Sequence, residues 1–259
     1  CLSEVSAPNL GAAAIKAALS NSGLKADDIS EVIMGNVLPA GLGQAPARQA
    51  MLYADLPRST GATTINKVCG SGLKAAMMAH DLIKAGSADV VLAGGMESMS
   101  NAPYMLPKGR SGYRMGHGQV LDHMMFDGLE DAYENKAMGS YAQSTADEYG
   151  IDREAMDEFA IHSLTKAQAA IKDGLFKDEI TAVTYSTRKG EVTVDTDEQP
   201  GKARLDKIPQ LRAAFKKDGT ITAANSSSIS DGAAALILMR ESEAKAKGLQ
   251  PLARVMGHT

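Results

Sequence analysis

Leu10, Ala14, Ala17 and Ala18 recur at helical spacing and Gly23 follows, so residues 9–22 read as an amphipathic helix ended by a glycine. Val32, Ile33 and Met34 mark a strand over 31–37. A Gly/Pro loop over 38–47 leads into a short helix at 45–53, and a β-branched run over 63–68 reads as the next strand. In the helix after it, Leu73, Ala76, Met77 and His80 share one face. That helix is small and apolar nearly all round, which predicts burial. Residues 88–93 form a short continuous apolar strand, the pattern of a sheet covered on both faces. Strands alternating with helices predict an α/β layered fold.

The pattern changes near Glu97. From there to about Ala224 the chain is richer in Met, Gly, charge and irregular stretches. Helices are expected over 131–149 and 153–173. In the second, Met156, Phe159, Ala160, Ser163, Ala167, Ala170 and Ile171 keep helical spacing, with acids in the first turns and Lys172 in the last. Residues 179–185 and 191–194 read as strands around a turn at Lys189-Gly190. Residues 232–239 resume a buried strand pattern, followed by a short helix at 241–247 and a strand at 252–256. The expected organisation is a core part at 1–96, an inserted region at 97–224 and a return to the core at 225–259.

A chain of 259 residues is long enough for a substantial core. Its net charge of −4 argues against general nucleic-acid binding. No apolar run approaches the ~18 residues of a membrane span. The only cysteines are Cys1 and Cys69, so a disulfide framework is not expected and a reducing compartment is. The chain starts at Cys1 inside a helical approach and stops just after a strand-like run, so it reads as a piece of a longer one.

Cys69 carries the chemistry. It ends the β-branched run, Gly70 and Gly72 flank Ser71 behind it, and an Ala-rich helix starts at once. A thiol on a tight turn at a helix N-terminus meets unpaired N–H groups and the positive end of the helix dipole, which favour the thiolate, the nucleophilic form. The alternative is a buried structural cysteine.

The block from Asn66 to Ala75, containing Cys69-Gly70-Ser71-Gly72, resembles the nucleophile signature of thiolases. So do Ala93-Gly94-Gly95-Met96-Glu97-Ser98-Met99-Ser100 with Pro103-Tyr104, then Gly112-Tyr113-Arg114-Met115-Gly116 and Asp127-Gly128-Leu129, and finally the stretch from Thr222 through Ser230 to Ala234. Blocks in this order resemble an acetyl-CoA acetyltransferase over essentially the whole chain. The resemblance implies a layered α/β/α thiolase fold, here its N-terminal half, with an inserted loop domain for coenzyme A and tetramerisation.

The resemblance also implies the chemistry. Cys69 would take the acyl group, either from acetyl-CoA when two acetyl-CoA condense or from a 3-ketoacyl-CoA cleaved by CoA. The Cys69 N–H would serve an oxyanion hole. Acyl-CoA and CoA are expected as substrates, with no tightly bound cofactor and no metal. Leu129, Met138, Phe215, Ala223 and Ser227 correspond to pantetheine and adenine contacts. Ordinary core packing is the other reading for Leu129, Met138 and Phe215, and turn formation for Ser227.

Thiolases carry further catalytic groups in Gly-His-Pro, Cys-x-Gly and Asn-Glu-x-Phe motifs, none of which occurs here. Gly116-His117-Gly118 and Gly257-His258-Thr259 do not stand in for them. Ala137 occupies a place where some thiolases have His. Lys189, Lys202, Arg204, Lys207 and Arg212 form a basic stretch, expected as a solvated face or near CoA phosphates. The complete protein is expected to be a homodimer or homotetramer in the cytoplasm, with mitochondrion or peroxisome open, and this chain to be inactive alone. A ketosynthase-type condensing enzyme and a non-catalytic CoA-binding or assembly fragment are the competing readings.

Overall fold

The computed structural model describes residues 1–259. In chain order the elements are α1 (Ala7–Ser22), β1 (Glu31–Gly35), α2 (Pro46–Tyr53), β2 (Gly61–Ile65), α3 (Ser71–Ala85), β3 (Val90–Ser98), β4 (Tyr104–Met105), β5 (Leu121–Asp122), α4 (Met138–Tyr149), α5 (Arg153–Lys172), β6 (Val183–Thr187), β7 (Gly190–Val194), α6 (Glu198–Lys202), β8 (Asp231–Met239) and α7 (Glu241–Ala246). The chain divides into two compact units. One holds residues 2–103, 185–191 and 230–259, and the other holds residue 1, 104–184 and 192–229.

The first unit is built on a four-stranded sheet in the order β2-β1-β3-β8. β1 runs parallel to β2 and β3, while β8 pairs antiparallel with β3 from Val90↔Met239 to Ser98↔Asp231. Side chains alternate across the sheet, and each face has its own core. Val32, Met34, Val90, Leu92 and Met96 meet Ala7, Ala12 and Ile15 of α1 and Ala47, Ala50 and Met51 of α2. On the opposite face Ile33, Val91 and Ala93 meet Ala75, Ala79 and Ile83 of α3. This is an α/β/α arrangement. Gly23 closes α1 at φ 75°, in the left-handed cap that the sequence predicts.

The second unit is held more by polar clamps than by a broad core. Gln143 on α4 is buried; its Oε1 accepts from the Thr220 and Ile221 N–H groups at 2.8 and 3.2 Å. Asp157 on α5, also buried, accepts from Arg153 Nε at 2.6 Å and from Asn225 Nδ2 at 3.2 Å. Lys216 reaches Asp147 at 2.6 Å and holds its carboxyl below the usual carboxylate range. Asp152 caps α5 by accepting from Ala155 N at 2.8 Å.

Several sequence expectations are corrected. α3 does not bury Leu73, Ala76, Met77 and His80; Leu73 is 66% exposed, and the covered face is Ser71, Ala75, Ala79 and Ile83. Periodicity cannot select a face on a helix that is apolar all round, and small residues four apart allow the closer approach. On α5, Phe159 and Ser163 are exposed and Asp157 is buried, because a clamp rather than an apolar stripe orients that helix. The strand after α2 stops at Ile65, four residues before Cys69. Residues 131–137 are not helical, with a turn at 132–134 and a bridge from Ala137 to Glu130, and α4 begins at Met138. β8 is an edge strand, not a buried one, with Leu236 60% exposed. Residues 252–256 form no strand.

Leu92 is fully buried at the sheet centre, so Leu92→Ala is expected to lower unfolding free energy by about 2–5 kcal/mol. Urea denaturation reads this directly. A loss below about 1 kcal/mol would contradict a close-packed sheet centre.

Candidate functional site

Cys69 lies on the loop between β2 and α3, and its residue is exposed. Exposure removes the buried structural reading. The loop is built by local hydrogen bonds. Asn66 Oδ1 accepts from the Val68 N–H at 2.8 Å. The Ser71 hydroxyl accepts from the Lys67 N–H at 2.8 Å and donates to the Val68 carbonyl at 2.6 Å. The Gly70 and Ser71 N–H groups close the turn onto the Lys67 and Val68 carbonyls at 3.1 and 3.0 Å. Between them Val68 sits at φ 48°, a left-handed conformation that a β-branched residue rarely adopts. Strain of about 1–3 kcal/mol at such a position persists only where surrounding bonds fix it.

Glycines let α3 press its first turn onto the sheet. A Cβ on Gly35 would stand 2.6 Å from Ser71 Cβ and 2.8 Å from the Gly72 nitrogen. Gly95 approaches the Gly72 backbone from β3 in the same way, at ordinary contact distance. No side chain caps α3, so the N–H groups of its first turn are not spent on a cap.

A shallow depression of about 230 Å³ opens here, lined among others by Val37, Val68, Cys69, Gly72, Gly95 and Glu97. It lies beyond the carboxyl ends of β1 and β2 and beside β3, the usual place for ligands in open α/β sheets. Glu97 fixes its wall. One carboxylate oxygen accepts from Asn36 Nδ2 at 2.7 Å and the Leu38 N–H at 3.0 Å, and the other from the Val37 N–H at 2.8 Å. Asn36 is buried, and its Oδ1 has no hydrogen-bond partner. Sequence reasoning placed Glu97 only within a motif and missed Asn36. An acid inside an apolar strand run was the available signal.

The other predicted site residues all lie in the second unit. Leu129 ends a single π-helical turn, Met124–Leu129, and is half-buried. Met138 opens α4 and is 44% exposed. Phe215 lies against Gly139, where a Cβ would meet its ring at 2.2 Å, so Phe215 and the Met138-Gly139 pair come together. Ala223 and Ser227 are exposed on the loop before β8. That loop is turned by Thr222 N–H to Asn225 Oδ1 at 2.7 Å and by the Ser226 hydroxyl donating to the Thr222 carbonyl at 2.7 Å. No helix is long and apolar enough to cross a membrane.

The family model described as thiolase, N-terminal domain, matches residues 1–242. An acetyl-CoA acetyltransferase of Cupriavidus necator is 52% identical over 259 residues, covering 99% of this chain and 66% of that protein. One from Escherichia coli is 51% identical over the same shares. The crystal structure of Acat5 thiolase from Ascaris suum in complex with coenzyme A superposes with a TM-score of 0.90 at 41% identity, covering 97% of this chain and 64% of that one. The chain thus spans just under two thirds of the length of these relatives. With the family model matching nearly its whole length and a fold shared at high similarity, the chain belongs to the thiolase family, as its N-terminal domain.

Proposed function

We propose that the chain is the nucleophile-bearing part of an acetyl-CoA acetyltransferase. The observation that carries this reading is the exposed Cys69 thiol on its strained, glycine-backed turn at the start of α3, opening into the depression beside Glu97. The names of the relatives at 52% and 51% identity support the acyl class.

In this reading the Cys69 thiolate attacks the carbonyl carbon of acetyl-CoA. A sulfur–carbon bond forms, the bond from carbon to the CoA sulfur breaks, and CoA leaves as a thiolate that takes up a proton. The Cys69 N–H faces the oxygen that carries charge during attack. In condensation a second acetyl-CoA, deprotonated at its methyl, displaces Cys69 to give acetoacetyl-CoA. In cleavage the Cys69 thiolate instead attacks the keto carbon of a 3-ketoacyl-CoA, the C2–C3 bond breaks, the acetyl-CoA carbanion that leaves is protonated, and CoA then removes the acyl group from Cys69. Leu129, Met138, Phe215, Ala223 and Ser227 serve CoA, Ser227 through the pantetheine amide, within a loop domain at 97–224. The core comprises 1–96 and 225–259. The acid and base for the carbanion step come from outside this chain, whose only other thiol is Cys1.

Purified chain is expected to become acetylated at Cys69 on incubation with acetyl-CoA, and iodoacetamide is expected to label Cys69 at least about tenfold faster than Cys1 at neutral pH. Peptide mass spectrometry reads both. Acetoacetyl-CoA should not turn over. Equal, slow labelling would move the reading to a non-catalytic CoA-binding or assembly piece, and a normal turnover rate would overturn the assigned roles.

Ser71→Ala removes both hydroxyl bonds that hold the Cys69 turn, so it is expected to cost about 1–3 kcal/mol of stability and to slow Cys69 labelling several-fold. An unchanged labelling rate in a folded variant would show that the turn does not set Cys69 reactivity.

The complete protein is expected to self-associate. Met115 is 103% and Val120 60% exposed on the segment between β4 and β5, an apolar surface suited to a second copy. Light scattering at micromolar concentration should give a dimer or tetramer. A monomer there would refute the expectation.

A further inference from the structure

The second half of α3 carries chemistry that the acyl reading does not use. His80 lies nine positions beyond Ser71, roughly 13 Å along the helix axis. Its Nδ1 stands 3.1 Å from Asp81 Oδ1. His258, from the segment after α7, places its Nε2 at 3.2 Å from His80 Nδ1 and 2.9 Å from Asp81 Oδ1. The two imidazole rings meet edge to face, with centroids 5.0 Å apart and planes at 88°.

These spacings are those of a coordination shell. Donors at ~2.0 Å from a tetrahedral ion stand ~3.3 Å apart, and in an octahedral shell ~2.9 Å apart. The three observed separations, 3.1, 3.2 and 2.9 Å, fall on or between these values. A single point above the plane of the three atoms therefore lies at bonding distance from all of them. The donor set is two imidazole nitrogens and one carboxylate oxygen. That combination suits zinc and its first-row neighbours, not magnesium or calcium, which take oxygen ligands.

Exposure fits as well. Both histidine side chains are 22% exposed and Asp81 is 56% exposed, so the rings are largely held while one side stays open for water ligands.

We propose that His80, Asp81 and His258 form a binding site for one divalent first-row transition ion of the zinc class, with water completing the shell. The ligands come from a helix and from a segment without regular secondary structure, 249–259. The bound ion joins the two. Binding needs both histidines to offer a lone pair at these nitrogens, so each ring takes the neutral tautomer that carries its proton on the other nitrogen.

The test is calorimetric titration of the 259-residue chain with zinc chloride at neutral pH, in a Cys1→Ser/Cys69→Ser background, because thiolates bind zinc on their own. One saturable equivalent is expected. His80→Ala and His258→Ala are each expected to weaken it roughly tenfold or more, and Asp81→Asn to weaken it less. His258 belongs to no helix or strand, so its replacement leaves the packed elements in place, and circular dichroism checks that for both histidine variants. Absence of saturable binding, or unchanged affinity in either histidine variant, would overturn the site.

Discussion

The placement of Cys69 depends on one close contact, the first turn of α3 against the end of β1. Gly35 leaves no room for a Cβ, which would stand 2.6 Å from Ser71 Cβ, and Gly72 sits on the Gly95 backbone. Because Gly35 lacks a side chain, the helix can start directly on the sheet, while a Cβ at Gly72 or Gly95 would meet only ordinary contacts. The chain must then pass from Ile65 to Ser71 in a tight loop, and Val68 takes a left-handed φ of 48° to make the turn. The bonds from Asn66 and Ser71 offset that strain. The thiol is displayed by backbone geometry, with no partner side chain needed to hold it out.

The depression beside Cys69 is shaped by a polar device of a different kind. Glu97 collects three donors from Asn36, Val37 and Leu38 and so fixes the wall formed by the end of β1. Donors aimed at a carboxylate give stronger bonds than neutral pairs. Asn66 adds a weaker link by donating from Nδ2 to the Val37 carbonyl at 3.4 Å. The wall and the nucleophile turn therefore share Asn66 as a common member.

The two units solve the problem of ordering a chain differently. The sheet unit buries apolar side chains on both faces and gains from the area removed from water. The other unit orders its loops around buried Gln143 and Asp157, whose bonds go to backbone and side chains far along the chain. Such groups are costly when unpaired, so they specify one arrangement of the loops they hold.

The local features were legible along the chain. The α1 helix with its Gly23 cap, the α5 helix with acids in its first turns and Lys172 in its last, the apolar run of β3 and the glycine-flanked turn of Cys69 all arise from neighbours within a few residues, which leave a period or a cap signal. The block resemblance added the family and the chemistry of the thiol. Tertiary structure alone decided which face of α3 is covered, that Asp157 is buried, that the run at 252–256 stays out of the sheet, that Glu97 clamps residues about 60 positions away, and that His80 meets His258 across 178 positions. These outcomes depend on which surfaces lie close enough in space to pack or pair. Contacts between distant segments impose no periodicity on either one, so no pattern along the chain could have announced them.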